Sequence, residues 1–319
     1  MSEIIEAEKN TLNDTNGIIT IKPLTAHIGA EISGIDLKEK LNPEQVKAIY
    51  AALLKWKVIF FKNQHLDHQQ HVEFSRQFGQ LTIGHPVFGY VEGHPEIYSI
   101  ARHRKANSFE GKRLLRPWTG WHADVTAAIN PPYASILRGV VIPPYAGDTQ
   151  WTNLVAAYNG LSQPLRGFID TLFGEHRFTP PEGAKAQHEY LQSLKDSPLA
   201  SEHPLVRVHP ETGERALYVS PSFIKKIVGL TPRESDQLLH LLLEHAVRPE
   251  YTVRFKWEAG DIAFWDNRST AHLPPSDIFD TDFERQLYRT TLVGDIPVST
   301  DGRQSRALEG TPVLAHTVE

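Results

Sequence analysis

The chain has 319 residues, 40% of them apolar and 22% charged, as expected of an ordinary globular protein. A net charge of −5 offers no basic surface for nucleic acid, and the absence of cysteine excludes disulfides, thiolate metal sites and cysteine nucleophiles. No apolar run approaches the ~20 residues needed to span a bilayer, and the polar, acidic stretch 1–16 has neither the basic nor the apolar region of a secretory leader, so we expect a mobile tail there and a cytoplasmic protein.

In chain order, Ile18–Ile21 reads as a first strand. Asn42-Pro43-Glu44-Gln45 has the form of a helix start, a capping side chain followed by proline and, three residues on, a glutamine. Val46, Ile49, Tyr50, Leu53 and Leu54 then give one apolar helical face. Val58–Phe61 is a short apolar run and predicts a buried strand. Asp67 to Phe78 predicts a second helix, with His65, His68 and His71 read as a polar helix end rather than a metal cluster, because three-residue steps leave one face. Gly89 to Gly120 predicts a long loop serving as a lid over a site. It carries Arg102, His103, Arg104, Lys105, Lys112, Arg113 and Arg116, so it reads either as a solvated loop or as a flap that recognises an anion.

Tyr133 to Val141 predicts a strand, with Ser135, Leu137 and Gly139 on one face. Pro164 to Leu172 predicts a helix, and Thr231-Pro232-Arg233-Glu234 is a full capping box opening another. Tyr251 to Trp257, Asp261 to Trp265 and Gln286 to Val293 read as strands. The pattern is α+β with a mainly β core and helices on one face of a mostly antiparallel sheet. We expect one domain over 17–298 and a polar C-terminal tail over 299–319, packed on the surface or on a partner subunit.

The chemistry concentrates at His122-Ala123-Asp124 and, 148 residues on, His272. Residues i and i+2 of an extended strand point the same way, so His122 and Asp124 can hold one ion together. Two imidazoles and one carboxylate bind one face of an octahedral ion and leave the other positions open. By itself a His-x-Asp pair can equally be a hydrogen-bonded pair.

The neighbouring segments extend the pattern. Trp121-His-Ala-Asp-Val-Thr126, Trp265-Asp-Asn-Arg-Ser-Thr-Ala-His272 and Arg285-Gln-Leu-Tyr-Arg-Thr-Thr-Leu-Val-Gly-Asp295, with Gly147-Asp-Thr-Gln-Trp151 and His209-Pro-Glu-Thr-Gly-Glu-Arg215, resemble the TauD/TfdA family of Fe(II)/2-oxoglutarate dioxygenases over Ile19 to Pro297. The closest likeness is to the taurine dioxygenase and alkylsulfatase branch. That resemblance implies a double-stranded β-helix, or jelly-roll barrel, with Fe(II) held by His122, Asp124 and His272. It implies 2-oxoglutarate as cosubstrate, its far carboxylate on Arg289 with Thr149 sharing the task and Arg285 close by. It implies O2 as oxidant, succinate and CO2 as products, and hydroxylation rather than halogenation, since halogenating relatives have a small residue in place of Asp124. A homo-oligomer, dimer or tetramer, follows by the same analogy.

For the substrate, His85 matches a histidine that contacts the sulfonate in taurine-specific members. Those members have a tyrosine where Phe88 stands and an asparagine where Trp118 stands. The more apolar corner favours an alkyl sulfate or sulfonate over taurine, with an aryloxyalkanoate as an alternative. Tyr218 and Phe223 are candidate pocket walls, or core; His176 is either a binding residue or a satisfied internal histidine. Outside this class, a metal-dependent hydrolase or a non-catalytic metal-binding barrel would use the triad without needing Arg289 and Thr149.

Overall fold

The computed structural model describes residues 18–101, 107–109, 116–179, 184–186, 192, 195–274 and 276–316, with backbone alone at 107–109 and 184–186. The expected N-terminal tail and the cations at 102–105, 112 and 113 lie outside them.

Strands β1 (Thr20–Pro23) and β2 (Ala30–Ser33) open the fold. Helix α1 (Pro43–Trp56) starts as expected: the Asn42 side chain accepts from the Gln45 N–H, and Gln45 returns the bond to the Asn42 N–H. Next come β3 (Val58–Phe61), α2 (His68–Arg76), β4 (Tyr98–Ala101), β5 (Asn107–Phe109), β6 (Ala134–Val141) and β7 (Thr149–Asn153). Helices α3 (Leu154–Asn159) and α4 (Gln163–Ile169) lead into β8 (Phe173–Arg177), β9 (Ala184–Ala186), β10 (Ala200–Pro204), β11 (Val206–Val208), β12 (Arg215–Leu217) and β13 (Ile224–Ile227). The last part holds α5 (Pro232–Ala246), β14 (Thr252–Phe255), β15 (Ile262–Asp266), β16 (Thr270–Leu273), β17 (Gln286–Leu292) and β18 (Arg306–Glu309).

The main sheet runs β1-β2-β3-β15-β6-β17-β4, antiparallel except for β2 beside β3. A three-stranded sheet, β14-β7-β16, faces it, and a four-stranded sheet, β13-β8-β10-β18, lies beyond. The two-residue period of a strand sorts the side chains of the main sheet into two apolar layers. Ile59, Phe61, Ile136, Ile262 and Phe264 face α1 and α2 and pack on Ile49, Leu53 and Phe74. Val58, Phe60, Leu137, Ala263, Trp265 and Leu287 face the other way and pack on Trp151, Val253 and Phe255 of the three-stranded sheet. Ser135 and Arg289 share the parity of Leu137 and Leu287, so their strands present them to this inner layer.

Three expectations are corrected. The helices do not share one face: α1 and α2 cover the main sheet, whereas α3 and α5 pack with β12 and β13 in a separate apolar cluster. The stretch 89–120 is not one long loop, because β4 pairs along β17 as an edge of the main sheet and β5 pairs with β9. His71 is not part of a polar helix end. It is fully buried, its Nε2 reaches the Ile136 carbonyl oxygen at 3.2 Å, and burial pushes its pKa down to about 3. The C-terminal segment is woven into the structure: β18 pairs with β10, and the Asn130 amide bonds both the N–H and the C=O of buried Val313.

Candidate metal centre

His272 lies on β16 opposite Trp151 of β7, and the backbone N–H and C=O of His122 exchange two hydrogen bonds, 2.8 and 2.7 Å, with those of His272. A single bridge thus adds the His122 segment to the edge of the three-stranded sheet. The chain then departs from the extended strand that the His-x-Asp spacing suggested. Asp124 opens a turn in which Val125 has φ +51°, a region that β-branched residues rarely adopt. The turn begins only at Asp124, so the carboxylate and the His122 imidazole still reach one point, as the i, i+2 spacing predicts.

One ligand atom from each of His122, Asp124 and His272 lies within 4.8 Å of the others, and His272 Nε2 is 4.0 Å from Asp124 Oδ1. Asp124 and His272 are buried, while His122 stays partly open. His122 Nδ1 lies 2.9 Å from the Gly120 carbonyl, so it carries the proton and leaves the Nε2 lone pair for a metal. His272 Nδ1 is buried without a hydrogen-bond partner among the described residues. Burial lowers the pKa of both imidazoles. Burial also pushes the Asp124 carboxyl up, but the Arg289 guanidinium, then His272, His122 and the Ser135 hydroxyl outweigh it and hold the carboxyl well below the usual range. Two neutral imidazoles beside an ionised carboxylate are a donor set suited to a divalent iron ion.

Arg289 comes from β17 and its Nη1 contacts Asp124 Oδ1 directly. Its guanidinium also lies over the Tyr98 ring, 5.3 Å from the centroid. Thr149 is buried at the start of β7, where the Trp257 indole N–H donates to its Oγ1 at 3.0 Å. Arg285 is buried before the bulge of β17 and donates from Nε to the Gly147 carbonyl at 3.0 Å, two residues from Thr149. A Cβ on Gly147 would stand 2.8 Å from Arg285 Cδ, so glycine there makes room for the arginine.

The sequence-derived pocket residues divide. His85 Nδ1 accepts from the N–H groups of Val87 and Phe88, both at 3.1 Å, which puts the ring proton on Nε2. The ring stacks on Phe88 at 4.5 Å. Phe223 stands 6.4 Å from the His122 ring and 5.3 Å from Phe178, and Phe178 is 5.8 Å from Phe88. Tyr98, 5.0 Å from His85, completes a circuit of rings back to Arg289. Trp118 lies instead against Arg116 and His240 of α5. Tyr218 is core, its ring between His176, His203 and Arg207. His176 is a satisfied internal residue on its Nδ1 side, 3.0 Å from Thr126 Oγ1. Sequence reasoning did not single out Phe178, Tyr98 or Trp257, none of which has a local pattern that sets it apart, and it met Asn267 only as one letter of the Trp265–His272 motif.

The family model described as "Taurine catabolism dioxygenase TauD, TfdA family" matches residues 20–291. The chain is 39% identical over 298 residues to an alpha-ketoglutarate-dependent sulfate ester dioxygenase of Pseudomonas putida, covering 90% of this chain and 94% of that protein. It is 36% identical to an alkylsulfatase of Acinetobacter baylyi, over 94% of this chain and 93% of that one. Among solved structures, a taurine dioxygenase from Burkholderia xenovorans superposes with a TM-score of 0.81 at 64% identity, over 92% of this chain and 97% of that one.

Proposed function

This chain belongs to the TauD/TfdA dioxygenase family, and we propose that it hydroxylates an alkyl sulfate or alkyl sulfonate at the carbon beside the heteroatom. It is an oxidoreductase, an α-ketoglutarate-dependent dioxygenase using Fe(II) and 2-oxoglutarate. The observation that carries the reading is the convergence of His122, Asp124 and His272 beside a buried, charge-paired Arg289. A hydrolase or a non-catalytic barrel needs no such arginine.

In our reading His122, Asp124 and His272 hold the iron. The contact of Arg289 with Asp124 leads us to divide the arginines differently from the sequence comparison. A guanidinium touching a metal ligand is too close to the ion for the far end of a chelated five-carbon diacid. Arg289 therefore suits the near carboxylate, and Arg285 with Thr149 the far one, gripped by charge-assisted hydrogen bonds. When bound, Fe(II) and 2-oxoglutarate supply an O2-dependent oxidation that leaves succinate and CO2. The protein's part is placement. The ring circuit of Phe223, Phe178 and Phe88 excludes water and lines an apolar chain, and His85 Nε2–H is the donor for an anionic head group. Hydroxylating the carbon that bears a sulfate gives a product that breaks into an aldehyde and inorganic sulfate.

The facing main and three-stranded sheets serve as the two walls of a double-stranded β-helix in this proposal, within one domain over 17–298 whose 89–120 stretch covers the site. A dimer or tetramer acting in the cytoplasm is proposed on family likeness alone, to be checked by light scattering and fractionation.

A second reading, taurine as substrate, is favoured by the 64% identity to the Burkholderia protein. It gains from the position of Trp118, which packs against α5 rather than toward the ring circuit. Purified protein with Fe(II), ascorbate and 2-oxoglutarate should form succinate and release sulfate from hexyl sulfate, in an O2-dependent manner and faster than it releases sulfite from taurine. The reverse preference would replace the first reading with the second. No succinate with any sulfate, sulfonate or aryloxyacid would sink both.

A further inference from the structure

Behind the metal donors runs a chain of four buried groups. The Trp265 indole Nε1–H donates to Asn267 Oδ1 at 2.9 Å, and the Asp124 backbone N–H reaches the same oxygen at 3.3 Å. Asn267 Nδ2 donates to Ser135 Oγ at 2.9 Å, and Ser135 Oγ donates to Asp124 Oδ2 at 2.6 Å. Trp265, Asn267, Ser135 and Asp124 are each 2% exposed or less.

The direction of this chain is forced. An indole N–H and a backbone N–H can only donate, so the amide must turn its oxygen to both. Its NH2 then faces Ser135, whose oxygen must accept. The single hydroxyl proton of Ser135 is left for Asp124 Oδ2. Asn267 cannot turn away, because the residues on either side of it are pinned. Asp266 accepts from His209 Nε2 at 3.0 Å and from the Arg268 guanidinium, so the turn between β15 and β16 is fixed at both flanks.

Resting on the functional reading above, we propose that Ser135 and Asn267 are positioning residues that make Asp124 a one-oxygen metal ligand. The hydroxyl occupies Oδ2, and Oδ1 is the oxygen on the side of His272 and Arg289. A carboxylate bound through both oxygens would take a further coordination position, one that cosubstrate or O2 needs. The relay keeps that position open and sets the angle of the ligand, as hydrogen-bonded partners of ligating carboxylates do.

The test uses the full chain with two substitutions, Ser135→Ala and Asn267→Asp. The first deletes the hydroxyl. The second preserves shape and still accepts from Trp265, but it draws the Ser135 proton away from Asp124. Both should weaken Fe(II) binding on the order of 10–100-fold and shift the charge-transfer band of the anaerobic Fe(II)–2-oxoglutarate complex. Folded variants with wild-type Fe(II) affinity and an unshifted band would overturn the proposal; if Ser135→Ala does not fold, Asn267→Asp decides alone. A wild-type protein that gives no such band with Fe(II) and 2-oxoglutarate removes the functional reading itself, and this inference with it.

Discussion

At the metal corner Asp124 is held by the Ser135 hydroxyl, by the Asn267 amide at its backbone N–H and by the Arg289 guanidinium. At the aromatic corner, a few ångströms away, His85 has two backbone N–H donors on Nδ1, and beyond it Phe88, Phe178 and Phe223 meet ring against ring. The first corner is specified by directional bonds among buried polar groups, which fail when one member is lost. The second is specified by shape, which tolerates exchange of one apolar side chain for another. The difference suggests a division of labour, with the reaction type set at one corner and the choice of substrate at the other.

The hardest test of that division is His122→Ala. It should abolish succinate formation, a loss on the order of a thousand-fold or more, about 4 kcal/mol of barrier, with any substrate offered. Activity near wild type would break the metal corner as described.

A second test separates the fold from both corners. His71 and His203 are fully buried, and burial depresses each pKa from an ordinary 6.5 to about 3. The unfolded chain therefore takes up protons that the folded chain refuses. Their contribution is complete above pH 6.5 and is lost as pH falls from there toward 3. At pH 5 the penalty is on the order of 2 kcal/mol for each histidine, to be read as a falling denaturation midpoint. Replacing His71 with glutamine should flatten that slope; an unchanged slope would remove His71 from the explanation.

Arg285→Leu should raise KM for 2-oxoglutarate by roughly 30-fold, about 2 kcal/mol for one lost charge-assisted grip, while leaving substrate preference alone. A changed preference with an unchanged KM would move Arg285 to the other corner. The smallest effect belongs to Phe223→Leu, which should change the ratio of kcat/KM between short and long alkyl sulfates by about 5-fold, near 1 kcal/mol. Its rate of cosubstrate turnover should stay close to wild type, and a collapse there would blur the division.

The meeting of His122, Asp124 and His272 was legible in the sequence because ligand chemistry restricts residue type, whereas the division proposed between Arg289 and Arg285 was not, since both are arginines of one segment. Nor was the path of the backbone between the ligands. Nothing in Asp124-Val125-Thr126 announces a turn, and a valine at φ +51° runs against local preference, held there by tertiary contacts. The partners of Asp124 were also out of reach, since Asn267 and Ser135 meet across 132 residues. Spacing could place Ser135 on a strand face but not say what it faces. The aromatic corner was less legible still. Trp118, Tyr218 and Phe223 were all candidates, yet an aromatic letter is the same in a wall, a core or an outer surface. Phe223 reaches the site, Tyr218 is core, and Trp118 sits against α5. Helices α1 and α5 were found from the four residues of their capping boxes, whereas the equally complete box of α2, Asp67 with Gln70, was not recognised as one. The short strands β8 to β13 were missed, because three to five residues are too few to display a period, and unlike β3 and β15 they carry no continuous apolar run to mark them.

The bond between Asn130 and Val313 spans 183 residues. It ties the segment that follows Asp124 to nearly the last described residues, and β18 closes on β10 across a shorter interval, 109 residues between Ala200 and Glu309. Contacts of such separation cannot form until both partners have left the ribosome. His122, Asp124 and His272 all precede Val313 in the chain, so the tie that holds the segment after Asp124 forms only once every side chain of the metal corner has been made.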